Sequence, residues 1–136
     1  FYFAVPLASE KVKFLLDLKQ NLQKAKVNNS SLTLIKIKSE KELIDDLQAN
    51  LINENYLNNS LKETDDKTAC IMMAIQDGDK FLGDFLKKKI QGYVKTRGNL
   101  YSNCAILYSY GVYPDDALDD EGLIKKVQES LQKVRE

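Results

Sequence analysis

Apolar residues recur along this chain in two periods that take turns. From Ser9 to about Lys26, Val12, Leu15, Leu16, Leu18, Leu22 and Ala25 fall at helical spacings, with Ser9 as the cap and these side chains inward. Asn28-Asn29-Ser30 reads as a turn. Leu32 to Lys38 then alternates, with Thr33, Ile35 and Ile37 on one side and Leu32, Leu34, Lys36 and Lys38 on the other, the period of a strand. Ser39 with Glu42 three residues on is a capping-box pattern ahead of a second helical stripe, Leu43, Ile44, Leu47 and Leu51. The Asn-rich piece from Asn53 to Asn59 weakens that period.

Thr68 to Ile75 is short, apolar and unbroken between polar ends, as a buried strand is. Gly78 and Asp79 precede a third helix with Phe81, Leu82, Phe85, Ile90, Tyr93 and Val94 as its face, and Arg97-Gly98-Asn99 ends it. Asn103 to Tyr113 reads as a last strand, stopped by Pro114-Asp115-Asp116. Leu123, Ile124, Val127, Leu131 and Val134 mark a closing amphipathic helix. A further short strand fits around Leu61 or Tyr101. The expected fold is α+β and ferredoxin-like, a small sheet with helices packed on it; a small flavodoxin-like parallel sheet is the competitor. No repeat, low-complexity tract or linker divides the 136 residues, so one domain is expected. The chain starts at Phe1 without an initiator Met or a signal-peptide pattern, and is expected to be a domain of a longer protein.

Composition narrows the functional classes. Twenty basic and twenty acidic residues cancel, so no global field draws nucleic acid or an anionic membrane. No apolar run approaches the roughly 20 residues of a membrane span. The absence of His removes the commonest zinc ligand and neutral-pH proton shuttle. Cys70 and Cys104 both fall in expected core strands, as packing residues rather than a disulfide. Lys87-Lys88-Lys89 is diluted by Asp77, Asp79 and Asp84 and lacks base-stacking aromatics, so a solvated helix face is expected. Asp115, Asp116, Asp119, Asp120 and Glu121 lack the EF-hand ligand order but suit the N-terminus of a helix. Tyr101, Tyr108, Tyr110 and Tyr113 are expected to pack under helices.

Two segments resemble GGDEF domains, the diguanylate cyclase family. Residues 14–26, Phe14-Leu15-Leu16-Asp17-Leu18 through Ala25-Lys26, followed by Ser31 to Lys38, look like the family's opening helix and first strand. Tyr108-Ser109-Tyr110-Gly111-Val112-Tyr113-Pro114-Asp115-Asp116, then Leu123 to Val127, is similar to its last strand, proline-aspartate turn and final helix. The resemblance covers roughly half the chain and implies a nucleotide-cyclase-like sheet. It also implies missing chemistry. Lys36 and Lys38 stand where the family's metal-holding aspartates would. The signature Gly-Gly-Asp/Glu-Glu-Phe turn is replaced by Asp65-Asp66-Lys67-Thr68-Ala69, and the guanine-contacting asparagine falls near Ile44. The segment ahead of the signature turn is about a dozen residues short.

The function implied is a catalytically inactive GGDEF-like signalling or regulatory module, with no catalytic residues, no metal site and no cofactor. Its expected partners are other domains of the same protein, a separate protein or a second copy, in the cytoplasm; nucleic acid and direct membrane insertion are not expected. The alternative is a sensor that binds cyclic di-GMP or GTP without turnover. Lys62 and Asp65, a Lys-x-x-Asp remnant of the family's inhibitory Arg-x-x-Asp site, or Lys36 and Lys38, would then hold the phosphates.

Overall fold

The structure is a computed structural model that describes residues 6–52, 54–101 and 104–133. Helix α1 (Pro6–Asn28) leads through a turn into β1 (Leu32–Glu40), which runs directly into α2 (Lys41–Asn50). A 3-10 turn (Glu54–Asn59) opens the hairpin of β2 (Ser60–Thr64) and β3 (Thr68–Gln76). Then follow α3 (Lys80–Thr96), a second 3-10 turn (Gly98–Tyr101), β4 (Leu107–Tyr113), α4 (Asp120–Glu129) and a two-residue β5 (Gln132–Lys133). The strands stand in the order β2-β3-β1-β4-β5, and every neighbouring pair is antiparallel. That excludes the parallel alternative and leaves the α+β sandwich.

Strand β1 is central because both of its faces carry apolar residues. Ile35 and Ile37 join Ile71, Met73 and Ile106 beneath Leu43 and Leu47 of α2 and Leu86 and Ile90 of α3. Leu32 and Leu34 join Met72 and Ala74 beneath Leu18 and Leu22 of α1 and Leu123 and Val127 of α4. A sheet with an apolar cluster on each side needs a helical layer on each side. The turns suit their residues: Asn29 ends α1 at φ 52°, a left-handed conformation that Asn tolerates. Asp79 caps α3 by accepting from the Phe81 and Leu82 amides at 3.0 and 3.2 Å.

Several expectations are corrected. Helix α1 starts at Pro6, a favourable first position for proline, so Ser9 lies inside it rather than at its cap. Its buried side is Phe14, Leu18, Leu22 and Ala25; Val12 and Leu16 are exposed, two positions round the helix from Phe14 and Leu18. Ser39 does not cap α2. It stays in β1, buried, and its hydroxyl donates to the Ala105 carbonyl at 2.9 Å. The α2 cap is Glu40 without a side-chain bond, and the Lys41 amide instead donates to the Lys67 carbonyl of the hairpin at 2.9 Å. On α3, Phe81 and Phe85 are exposed and Leu86 is buried.

The last strand begins at Leu107; Asn103 lies outside the described residues. Cys104 is buried in the preceding loop rather than in a strand, and Tyr101 belongs to the second 3-10 turn. Cys70 is half-buried on β3, and neither cysteine forms a disulfide. Helix α4 stops at Glu129, so Leu131 sits half-buried in the link to β5, and Val134 lies outside the described residues. The short strand around Leu61 is β2.

Candidate functional site

Helices α1 and α4 cover Leu32 and Leu34 but not the next two residues on the same face of β1, Lys36 and Lys38. Across the sheet Lys36 stands opposite Met72 and Ser109. Lys38 stands opposite Cys70 and Leu107, and Glu63 faces Cys70 from β2. Lys36 is half-buried and Lys38 exposed. Both line a cleft of about 350 Å³ whose other walls are Glu63 to Asp65, Thr68 to Cys70, and Leu131. Burial pushes the Cys70 thiol above its ordinary range, against the pull of the Lys36 charge, so the group facing the two ammonium ions stays neutral.

The far wall of the cleft is the β2–β3 turn, Asp65-Asp66-Lys67. The Asp65 amide donates to the Thr68 carbonyl at 2.8 Å, and the Asp66 amide donates to the Asp65 carboxylate at 2.8 Å. Asp65 is therefore occupied in closing its own turn. Lys62 is not a wall of this cleft; it is ion-paired with Asp45 of α2. The four candidate residues thus divide. Lys36, Lys38 and Asp65 share a cleft, and Lys62 points elsewhere.

The metal that GGDEF chemistry implies would need a convergent set of anionic oxygens in near-octahedral order. At the end of β1 the two positions carry ammonium groups. Glu63 and Asp65 reach the cleft only from the opposite wall, and among the described residues no three Asp, Glu or Cys side chains gather as a ligand group. This donor set does not fit a divalent cation. Ile44 is buried in the core on α2.

A polar cluster that sequence patterns did not signal lies on the opposite side of the sheet. Asp46 of α2 accepts from the Tyr101 hydroxyl at 2.6 Å, from Tyr93 at 2.5 Å and from the Asn50 amide at 2.7 Å. Arg97 bonds the Tyr93 hydroxyl and stacks 4.3 Å from its ring centroid. The Tyr101 and Tyr93 hydrogen bonds hold the Asp46 carboxyl below its usual range, and the bond to Asp46 pushes Tyr101 up to about 12. Asp46 and its partners join α2, the end of α3 and the turn after it. The sequence signal was only an Asp and two Tyr, 47 and 55 positions apart.

Of the β4 tyrosines, Tyr108 and Tyr110 pack on the α3 side of the sheet, and Tyr113 packs against the cluster under α1 and α4. Tyr108 is buried and donates to the Gly83 carbonyl at 2.8 Å, and burial raises its pKa far above the ordinary value. Tyr110 is half-buried and donates to Asp84 at 2.8 Å; burial first, and that bond second, push it to about 12. The acidic loop is partly structural. Asp116 accepts from the Val112 amide at 2.8 Å, and Asp119 caps α4 through the Gly122 amide at 2.7 Å.

The fold is similar to that of a DGC protein from Thermotoga maritima, with a TM-score of 0.62 and 18% identity over 90% of this chain and 94% of that one. It is also similar to a sensory box/GGDEF family protein from Caulobacter crescentus, with a TM-score of 0.49 and 14% identity over 87% of this chain and 86% of that one. No family model and no curated protein matches the sequence. At these identities the likeness concerns the fold: the chain has the nucleotide-cyclase-like α+β architecture of GGDEF domains. No helix among the described residues is long and apolar enough to cross a membrane.

Proposed function

We propose that this domain is a non-catalytic regulatory module on a GGDEF fold that works by being bound. Its partners are other domains of the same protein, a separate protein or a second copy, in the cytoplasm. The observation that carries the reading is the pair Lys36 and Lys38 at the open end of β1. A carboxylate there would attract a divalent ion, and an ammonium repels it by a comparable amount, on the order of several kcal/mol at protein-surface dielectric. A turn without glycine and the buried Ile44 argue in the same direction. The test is turnover: GTP incubated with the domain and Mg²⁺ or Mn²⁺ should yield no cyclic di-GMP above a buffer control. Product formation that scales with the domain overturns the reading.

A second reading keeps the two lysines as an anion contact, because both face the same cleft without an ion-pair partner among the described residues. Glu63 and Asp65 on the far wall oppose it. Exposed charge pairs contribute about 0–1 kcal/mol each, whereas micromolar affinity needs about 8 kcal/mol. Cyclic di-GMP should therefore bind no tighter than roughly 100 µM by calorimetry on that scale. A low-micromolar isotherm abolished by Lys36→Ala/Lys38→Ala would favour a sensor instead.

A further inference from the structure

Asn59 ends the 3-10 turn that enters β2, and it is only 9% exposed. Neither the oxygen nor the nitrogen of its carboxamide has a hydrogen-bond partner among the described residues. A buried carboxamide without partners is costly. The next residue avoids that cost, the Ser60 hydroxyl donating to the Leu57 carbonyl at 2.8 Å. Asn59 lines a cleft of about 260 Å³ with the buried Phe14 and Leu61, and with Glu10, Lys13 and Asp17 of α1. The sheet is open beside it, because β2 is an outermost strand. The Asp65 amide donates to the Thr68 carbonyl, so by antiparallel alternation Asp65, Glu63 and Leu61 spend their backbone groups on β3. Lys62 and Thr64 turn theirs outward. Both are exposed, and no backbone hydrogen bond from beyond the hairpin reaches them among the described residues.

An unpaired strand edge and an unpartnered carboxamide ask for the same chemistry, a donor and an acceptor side by side. The α1 rim sets one cation between two anions, so an anionic ligand such as a phosphate would meet Glu10 and Asp17. A neutral amide meets no such opposition, and its N–H and C=O match the carboxamide of Asn59. An extended chain supplies amides about every 3.4 Å, so about six residues reach the 17 Å or so from Thr64 to Asn59. A second copy fits less well. Lys62 is the middle residue of β2, and pairing the strand with its own image would set that lysine against itself. We infer that the β2 edge takes an extended peptide segment of another protein as an added strand. Lys62 and Thr64 hold its backbone, and the Asn59 side chain turns to hold a further amide in the cleft. This rests on the reading above that the domain works by being bound, and it names the chemistry of the partner.

Titration of the whole chain with a capped hexapeptide of alternating threonine and glutamine, followed by ¹H–¹⁵N NMR, tests it. The Lys62 and Thr64 amides and the Asn59 side-chain NH₂ should shift together and saturate, with a Kd between about 10 µM and about 1 mM. The same peptide N-methylated along its backbone should shift none of them, an arm that needs no protein variant. Asn59→Leu should bind the peptide at least about tenfold more weakly, the effect of losing one or two hydrogen bonds. Its thermal midpoint should stay or rise, because an unpartnered carboxamide contributes nothing to the fold. Absence of shifts, equal binding of the N-methylated peptide, or undiminished binding by Asn59→Leu overturns the proposal. So does a lower midpoint for Asn59→Leu, which would mean that the carboxamide is satisfied inside the fold, as by a buried water. Edge amides that shift with protein concentration alone would make the occupant a second copy and overturn it as well. A chain that ignores the peptide and makes no cyclic di-GMP loses this edge and leaves the non-catalytic reading standing, whereas turnover removes that reading whatever the peptide does.

Discussion

Leu32 and Leu34 at one end of β1, and Lys36 and Lys38 at the other, are successive pairs on one face of one strand. The first pair is fully buried beneath α1 and α4; the second opens onto a cleft that none of the described helices lines. Burial holds the first pair to apolar residues, because a charge there would lose its hydration without a partner. The open pair is under no such constraint, so its side chains can change sign without disturbing the sheet, its order or its register. Architecture and chemistry are set at opposite ends of a single strand, so the residues at the open end can vary while the fold is kept.

The sharpest contrast is between those two ends. Leu34→Ala should cost about 2–5 kcal/mol in denaturant unfolding, as for a filled core position. Lys36→Ala and Lys38→Ala should each change stability by no more than about 0.5 kcal/mol. Comparable losses at both ends would break the contrast. A smaller one lies within α3. A Cβ on Gly83 would come 2.5 Å from the Tyr110 ring, whereas one on Gly92 would meet nothing within 4 Å. Gly83→Ala should therefore destabilise by about 1–3 kcal/mol through overpacking, and Gly92→Ala should stabilise by about 0.5–1 kcal/mol through helix propensity. Thermal melts of the pair should move in opposite directions.

The Asp46 cluster is expected to act less strongly and to depend on pH. Asp46→Ala leaves two tyrosine hydroxyls without their acceptor and should cost about 1–2 kcal/mol. The folded carboxyl titrates below its unfolded value, so its contribution is present above about pH 4 and is lost as the pH falls further. Tyr101 works in the opposite sense. Its folded pKa, near 12, lies above the unfolded value of about 10, so its share is full below pH 10 and is lost as the pH rises toward 12. In the Asp46→Ala variant the acid limb of the stability profile should flatten. An unchanged limb would show that other carboxylates set it.

Much of the fold was legible because its strands are short apolar runs with polar ends and its helices carry clear periods. What failed was phase. Helix α1 has more apolar residues than one face can bury, and whether Phe14 or Val12 turns inward depends on what the sheet presents, which period alone does not encode. The same holds for Phe81 and Phe85 against Leu86. Strand β5 is two polar residues placed by pairing with Leu107 and Tyr108, and no local pattern announces it. Of the candidate site, Lys36 and Lys38 were legible because a strand's alternation puts both on one face. The pairing that turns Lys62 away from that cleft was not legible, because Asp45 lies on another element 17 positions away.

The most direct test of a GGDEF fold without GGDEF metal chemistry is the response of the cleft amides, Thr64 to Cys70 and Leu131, to GTP with and without Mg²⁺ in ¹H–¹⁵N NMR spectra. The account predicts that adding Mg²⁺ changes nothing there, whether or not GTP alone brushes the two lysines. Saturable shifts confined to those amides and requiring Mg²⁺ would contradict it, since they would mean that the end of β1 holds a metal–nucleotide despite its two cations.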